Sequence, residues 1–271
     1  MQKFKQGIFI AVAIVMVLLC IGLIAVKKSR GTETVREGTR TFTGTVEQLI
    51  FEAGACDIEI REGNVDGFVL SYRGLSSGTI SDSLEDGVLK LKYRETSGWL
   101  SKLFRDGAET KVTLTIPKNT VLEQANLEFG AAEVRIDALS AKRLFISVGA
   151  GELNAESLTA GEKANLQVGA GAFYADNVNL VNAGLECGVG EMELSGVING
   201  ESTVDCGVGE ISLTLNGNEE DYSGELNCGL GSIQMGSVII NGSGKQSYGT
   251  SSAMSRMDIK CGIGEVDVRF K

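Results

Sequence analysis

Histidine is absent from the 271-residue sequence, and this absence excludes several kinds of functional site. A Ser-His-Asp triad, a Cys-His dyad, imidazole-based zinc sites and histidine pH switches all need that side chain. Aromatic residues make up only 6% of the chain, which offers little to a sugar-cleaving face. No phosphate loop is present either, because the nearest match, residues 242–245 (GSGK), is followed by Gln246 and not by Ser or Thr. Proline occurs once against 36 glycines, a balance that favours repeated tight bends.

Basic charge is scarce beyond the amino terminus. Residues 1–30 include five basic side chains and no acidic one, so the rest of the chain carries all 35 acidic residues against the remaining basic ones. Phosphate binding needs a basic surface, so the composition predicts that nucleic acid is not a partner. Cationic partners and calcium remain compatible with this charge.

Residues 7–26 form the one long apolar run (GIFIAVAIVMVLLCIGLIAV), and none of them is charged. The run predicts a transmembrane helix after a short tail at residues 1–6, since about 20 apolar residues cross the hydrocarbon core as a helix. A cleaved signal peptide is the alternative, but its apolar region would be shorter and would end in small residues. Residues 27–41 are polar and are interpreted as a linker. Basic residues flank the run on both sides, so the positive-inside rule leaves its orientation open.

One motif recurs along the rest of the chain. Its core is apolar-polar-apolar-Gly-small-Gly-polar-apolar-polar-apolar, with a divergent early copy at Phe51–Ile60. The seven regular copies are Leu127–Ile136, Ile146–Ala155, Leu166–Ala175, Leu185–Leu194, Val204–Leu213, Leu226–Met235 and Ile259–Val268. Their spacing is nearly constant over the first five copies, lengthens slightly before the sixth, and lengthens strongly before the last.

The alternation on each side of Gly-x-Gly is the period of a β-strand, and the glycines permit a sharp corner between two strands. A coil of about 19–20 residues cannot bury its apolar side alone, so the coils must stack. The sequence therefore predicts an all-β fold: a single-stranded β-solenoid over residues 119–271, preceded by the transmembrane helix.

Two regions depart from the repeat. Residues 42–118 contain longer alternating runs, which predict antiparallel strands that start or cap the solenoid. Within them, Trp99, Leu100, Leu103 and Phe104 are expected to cap the open solenoid end, with a partner or membrane contact as the alternative. Residues 241–256 are rich in Gly and Ser without alternation, and predict an inserted surface loop.

The run Thr115–Thr120 (TIPKNT), followed by Gly-x-Gly repeats, resembles the bacterial putative-adhesin, or toast-rack, family of β-strand repeats. The resemblance covers about residues 42–271. It implies an all-β, solenoid-like domain of unknown function, often tethered to the bacterial envelope, and it suggests adhesion or envelope-stress sensing. It implies no catalytic residues. The cysteines that precede the first glycine in several copies of the motif, and the long final loop, depart from many members.

Four cysteines precede the first glycine of their repeats: Cys187, Cys206, Cys228 and Cys261. Stacking should place them in one column, with Cys187, Cys206 and Cys228 on successive rungs. The favoured interpretation is a buried apolar column, because free cysteine is among the most buried residue types. A disulfide between neighbours and metal ligation are the alternatives, although a linear column does not make a tetrahedral site.

A column of glutamates follows the glycine corner: Glu133, Glu152, Glu191, Glu210 and Glu265. The favoured interpretation is a row of solvated like charges that discourages lateral aggregation. The alternative is that Glu191 and Glu210 hold a calcium ion. No catalytic, cofactor-binding or metal residue is assigned.

We therefore expect a non-enzymatic, single-pass protein of the bacterial cell membrane. Its solenoid is expected outside the cytoplasm, where it would serve adhesion, scaffolding or sensing and bind other envelope proteins or surface ligands. There are two alternatives. The first is a cytoplasmic-facing scaffold that polymerises through its ends, and the second is a protein that binds or acts on glycans.

Overall fold

The computed structural model describes residues 36–75, 78–95 and 110–271, and these form an all-β domain. Sixteen strands of this described part join one hydrogen-bonded sheet that winds into a solenoid. The expected solenoid architecture is thus confirmed. The predicted membrane segment 7–26 lies outside the described residues, and none of the described ranges contains a helix with the length and hydropathy to span a membrane.

The middle of the solenoid follows the repeat spacing. Leu166 pairs in parallel with Leu185, and Leu185 pairs with Val204, so each coil lies directly above the next. Alternate side chains point inward and are buried, as the period-2 pattern requires. We use "rung" for the two strand legs on either side of one glycine corner. The strands are β8 (Val121–Val181), which contains three rungs, β9 (Ala183–Asn199) and β10 (Glu201–Leu215).

The amino-terminal end adds two rungs beneath β8. The rung β2–β3 pairs in parallel with the first rung of β8, and β6–β7 pairs in parallel with β2–β3. β5 and β4 then cover β6 and β7 in antiparallel orientation, and β1 pairs with β4 at the edge. The strands are β1 (Arg36–Phe42), β2 (Gln48–Ala53), β3 (Asp57–Gly63), β4 (Phe68–Leu75), β5 (Gly78–Glu85), β6 (Val88–Glu95) and β7 (Lys111–Pro117).

Two expectations for this end need correction. β6 and β7 are predicted as antiparallel strands, but each also has a parallel partner: β6 pairs with β2, and β7 pairs with β3. Alternation cannot reveal this, because it is the same in parallel and antiparallel pairing. Residues 36–41 of the predicted linker belong to β1. This strand is largely exposed, and for that reason its sequence is polar.

The carboxy-terminal end does not follow chain order. β15–β16 pairs in parallel with β10 on one side and with β11–β12 on the other, so the last copy of the motif lies between two earlier ones. A short 3-10 turn, Glu219–Asp221, links β10 to β11. The strands are β11 (Tyr222–Cys228), β12 (Ser232–Met235), β13 (Val238–Asn241), β14 (Gly244–Tyr248), β15 (Ser255–Cys261) and β16 (Glu265–Phe270).

The inserted segment is correspondingly more ordered than predicted. β13 and β14 pair antiparallel with β12 and β11 and form the outermost layer, so residues 241–256 are not simply a loop. β14 is an edge strand whose residues 245–247 are exposed, and it therefore lacks the apolar alternation that marks a half-buried strand. Tyr248 is buried, and its hydroxyl donates a hydrogen bond to the Met257 carbonyl oxygen at 2.7 Å.

The interior of the solenoid is filled by aliphatic side chains from every rung. Near the amino-terminal end, Phe51 and Phe129 meet edge to face with ring centroids 5.6 Å apart. Buried apolar area of this kind is the main favourable term in the stability of a stacked repeat. The interior positions are consequently structural, and sites for partners must lie on the outward faces and corners.

Candidate binding surface

The Gly-x-Gly corners stack into one edge of the solenoid, and this stacking requires glycine. A Cβ atom on Gly190 would lie 2.0 Å from the Gly171 carbonyl oxygen of the preceding rung. Gly190 also has a φ of +152°, a conformation that residues with a side chain rarely adopt. The same short approach recurs at Gly209 above Gly190 and at Gly264 above Gly209. The corner is therefore a tight ladder of backbone.

The residue between the two glycines points into solvent. In the last four rungs it is a large apolar residue, in the spatial order Val189, Val208, Ile263 and Leu230. These side chains are exposed by 56%, 46%, 52% and 75%. We call these four residues the apolar row. Neighbouring rungs lie about 4.8 Å apart, so the row extends for about 14 Å along the edge.

The cysteine column lies on the inner side of the same corner. Its spatial order is Cys187, Cys206, Cys261 and Cys228, so Cys206 and Cys228 are not on successive rungs as predicted. The chain order misleads here because the last rung is inserted between β10 and β11. All four thiols are buried and free, so no disulfide joins neighbours. Burial raises the pKa of Cys206 to about 12, with smaller contributions from Cys261 and Cys187, and burial also raises the pKa of Cys187 and Cys261. Such thiols are unreactive packing residues.

The glutamate column lies beside the apolar row, one residue beyond the second glycine. Its members receive hydrogen bonds from nearby polar groups: the Asn154 amide to Glu152 at 2.7 Å, and the Tyr174 hydroxyl to Glu191 at 3.0 Å. Burial, and then that hydrogen bond, raise the pKa of Tyr174. In the described ranges no group of three or more Cys, Asp or Glu residues is placed to hold a metal ion.

Acidic charge is concentrated around the first half of the apolar row. β9 and β10 carry three acidic residues each and no Lys or Arg. Within the described part of the chain, none of the six carboxylates forms an ion pair with a basic side chain. They point outward and are exposed or half-buried. The six residues are Glu186, Glu191, Glu193, Glu201, Asp205 and Glu210.

A shallow groove of about 300 Å³ crosses the outer face of the first three rungs of β8. Its polar lining includes the amides of Gln124, Asn126, Asn165 and Gln167, and one aromatic ring, Phe145. The Gln124 amide donates a hydrogen bond to the Asn126 side-chain oxygen at 3.1 Å. Amides beside an aromatic ring can bind sugar hydroxyls and a sugar face, so this groove favours the glycan alternative.

The predicted cluster of Trp99, Leu100, Leu103 and Phe104 lies outside the described residues. The apolar row had no assigned role, although its residues occupy the variable position of the motif. Its signal was visible in the change from Ala150 and Ala170 to large aliphatic residues in the later copies.

Comparisons with known proteins give a family and a set of related structures. The family described as Toastrack DUF4097 matches residues 46–238. No curated protein matches the chain.

Three solved structures illustrate the similarity. A "putative cell adhesion protein" from Clostridium sporogenes is 15% identical, with a TM-score of 0.38 over 88% of this chain and 100% of its own. A "putative adhesin" from Bacteroides fragilis is 17% identical, with a TM-score of 0.41 over 86% and 97%. A "putative lipid binding protein" from Parabacteroides distasonis is 12% identical, with a TM-score of 0.41 over 85% and 96%.

Proposed function

Because the chain belongs to the Toastrack DUF4097 family, we propose that it is a non-enzymatic protein of the bacterial cell envelope, anchored in the membrane by residues 7–26. In this proposal the β-solenoid lies outside the cytoplasm and binds other envelope components or surface ligands, as an adhesin or scaffold does. The uninterrupted apolar character of that segment supports the anchor, since its length matches the thickness of the hydrocarbon core.

The observation that carries the binding role is the apolar row. Soluble surfaces expose scattered apolar side chains, but a continuous line of them at a rigid edge is typical of an interaction site. The stacked glycine backbone holds the row in place, so little conformational entropy is lost when a partner binds.

Membrane topology is the first test. Ser251 is exposed, and Ser251→Cys would place a reactive thiol in the segment between β14 and β15. The unsubstituted chain is the matched control, because its five described cysteines are all buried. We expect a membrane-impermeant maleimide to label the variant on intact cells and to leave the control unlabelled. Labelling of the variant only after lysis would contradict the external placement and favour a cytoplasmic-facing scaffold.

The groove beside Phe145 supports a second candidate function, the binding of envelope polysaccharide. Asn126→Ala combined with Asn165→Ala removes two of its amides without touching the interior, and Asn227→Ala is a matched change of an exposed amide on another rung. If glycans bind here, the double variant should lose retention on immobilised cell-wall polysaccharide while Asn227→Ala keeps it. Equal retention of both variants would contradict this candidate.

A further inference from the structure

The apolar row and the acidic residues around it form one surface with a defined chemistry. Hydrogen bonds from the Ile263 amide to the Gly207 carbonyl and from the Leu230 amide to the Gly262 carbonyl, both 2.8 Å, fix the row in register. Glu191 and Glu210 follow the second glycine on one side, and Glu186 and Asp205 lie on the other side of Val189 and Val208. Lys260 takes the corresponding position beside Ile263, so acidic charge is concentrated around the first half of the row. A partner that buries Val189 and Val208 must therefore bring positive charge next to apolar side chains.

The chain itself contains a segment with that chemistry. Within residues 96–109, the part 99–105 holds Trp99, Leu100, Leu103 and Phe104 together with Lys102 and Arg105 and no acidic residue, and Asp106 and Glu109 follow it. The segment joins the end of β6 at Glu95 to Thr110, just before β7. β6 and β7 align with the legs that flank the glycine corners, so the segment starts and ends on the same edge as the apolar row.

The segment is too short to cover the row of its own molecule. Both of its ends are attached to the rung β6–β7, so its middle can extend over at most about seven residues, or about 24 Å. Val189 lies five rungs away, at about 24 Å, and Val208 lies six rungs away, at about 29 Å. At full extension the middle of the segment would only reach the first residue of the row. A second molecule has no such restriction.

We propose that the segment Trp99–Arg105 of a second copy docks on the apolar row, with its aromatic and leucine side chains on Val189, Val208, Ile263 and Leu230. Lys102 and Arg105 then face the carboxylates of β9 and β10. Each copy has both halves of the contact, so two molecules related by a two-fold axis make it twice. A pairing of row against row would instead bring the acidic residues of the two copies together. This inference rests on the binding role proposed for the apolar row and names a second copy of the chain as the partner that occupies it, and it holds for either membrane orientation.

Cross-linking between two single-cysteine variants tests the contact in the full-length chain. Leu103→Cys and Val208→Cys are purified separately in a non-ionic detergent, mixed and treated with a short bis-maleimide. The native cysteines of the described part are buried, so they contribute little background. We expect a cross-linked dimer that contains one molecule of each variant. Val121→Cys, on an exposed residue of another part of the solenoid, is the control partner and should cross-link at least about tenfold more slowly.

Charge exchange tests the electrostatic half of the proposal. Lys102→Glu combined with Arg105→Glu should raise the dimer dissociation constant by about tenfold or more, as measured by light scattering with detergent correction. The second double variant is Glu191→Lys combined with Glu210→Lys. When the two double variants are mixed, the dissociation constant of the mixed dimer should fall again. Glu128→Lys combined with Glu156→Lys is the matched control, since these glutamates are also exposed but lie on other rungs.

Three outcomes would overturn the proposal. The first is a monomer at all accessible concentrations, and the second is a dimer that ignores both charge exchanges. The third is a cross-link within one chain when both cysteines are placed together, which would mean that the segment covers its own row. None of these outcomes bears on the maleimide labelling of intact cells, so a failure here is distinguishable from a failure of the proposed location.

Discussion

Replacement of a single corner glycine tests whether the backbone ladder holds the rungs at their spacing. We choose Gly190→Ala, because this residue lies in the middle of the stack and has contacts on both sides. The new methyl group would point at the Gly171 carbonyl oxygen, 2.0 Å from it, and this backbone atom cannot rotate away. Gly161→Ala is the matched control, because a Cβ atom there meets nothing within 4 Å.

The expected magnitude has two parts. A residue with a side chain at the φ of Gly190 costs about 1–3 kcal/mol. Separation of the rungs around the added methyl costs about another 1–3 kcal/mol. Gly190→Ala should therefore lower the free energy of unfolding by about 4 kcal/mol, and the midpoint of thermal unfolding by about 10 °C for a domain of this size. Gly161→Ala should raise stability by about 0.4–1 kcal/mol, because it restricts the unfolded chain without strain in the folded one.

The assay is thermal unfolding of the full-length chain in a non-ionic detergent, followed by circular dichroism in the β-sheet band. Both variants and the unsubstituted chain are measured under the same conditions. The reasoning is refuted if the two variants unfold within about 2 °C of each other. Such a result would mean that the rungs separate at the corner with little loss of hydrogen bonding elsewhere.

Two further predictions concern buried polar groups. The pKa of Cys206 is raised in the folded chain, so the unfolded thiol ionises from about pH 9 while the folded thiol stays protonated to about pH 12. The free energy of unfolding should therefore fall as the pH rises through this window. Cys206→Ala should make this fall shallower by up to about 1.4 kcal/mol per pH unit, as measured by urea unfolding at several pH values. If the free energies of unfolding of the variant and the unsubstituted chain fall in parallel with pH, the thiol is excluded as the cause. Tyr248→Phe should leave the Met257 carbonyl without its buried donor, lower stability by about 1–3 kcal/mol and speed hydrogen exchange in β14 and β15. Unchanged exchange there would show that this hydroxyl does not hold the outermost layer.

Sequence reasoning was sufficient for the repeated part of the fold. Gly-x-Gly at nearly constant intervals determines a coil length, and alternation determines which side chains face inward. The pairing of Leu185 with Leu166 and Val204 follows directly. The buried cysteine column is also a consequence of that alternation, since each cysteine occupies an inward position.

The order of the rungs at the ends could not be obtained in this way. All copies carry the same pattern, so β10 has equally good strand partners in β11 and β15, and alternation cannot choose between them. The long final interval indicated an insertion, but not that its residues would form the outermost layer. The apolar row was missed because alternation alone treats the residue between two glycines as part of the turn, without a role.

The ends of the solenoid have a consequence for synthesis on the ribosome. β11–β12 emerges before β15–β16, and it carries the motif that pairs with β10, yet in the finished protein β15–β16 occupies that place. An early nascent chain can therefore close with β11–β12 directly on β10, in a register that the complete molecule must abandon. The stretch from β15 onward must then displace an existing partner instead of joining a free edge. Slow release from the ribosome would favour the incorrect closure, and a chain that ends before β15 would keep it permanently.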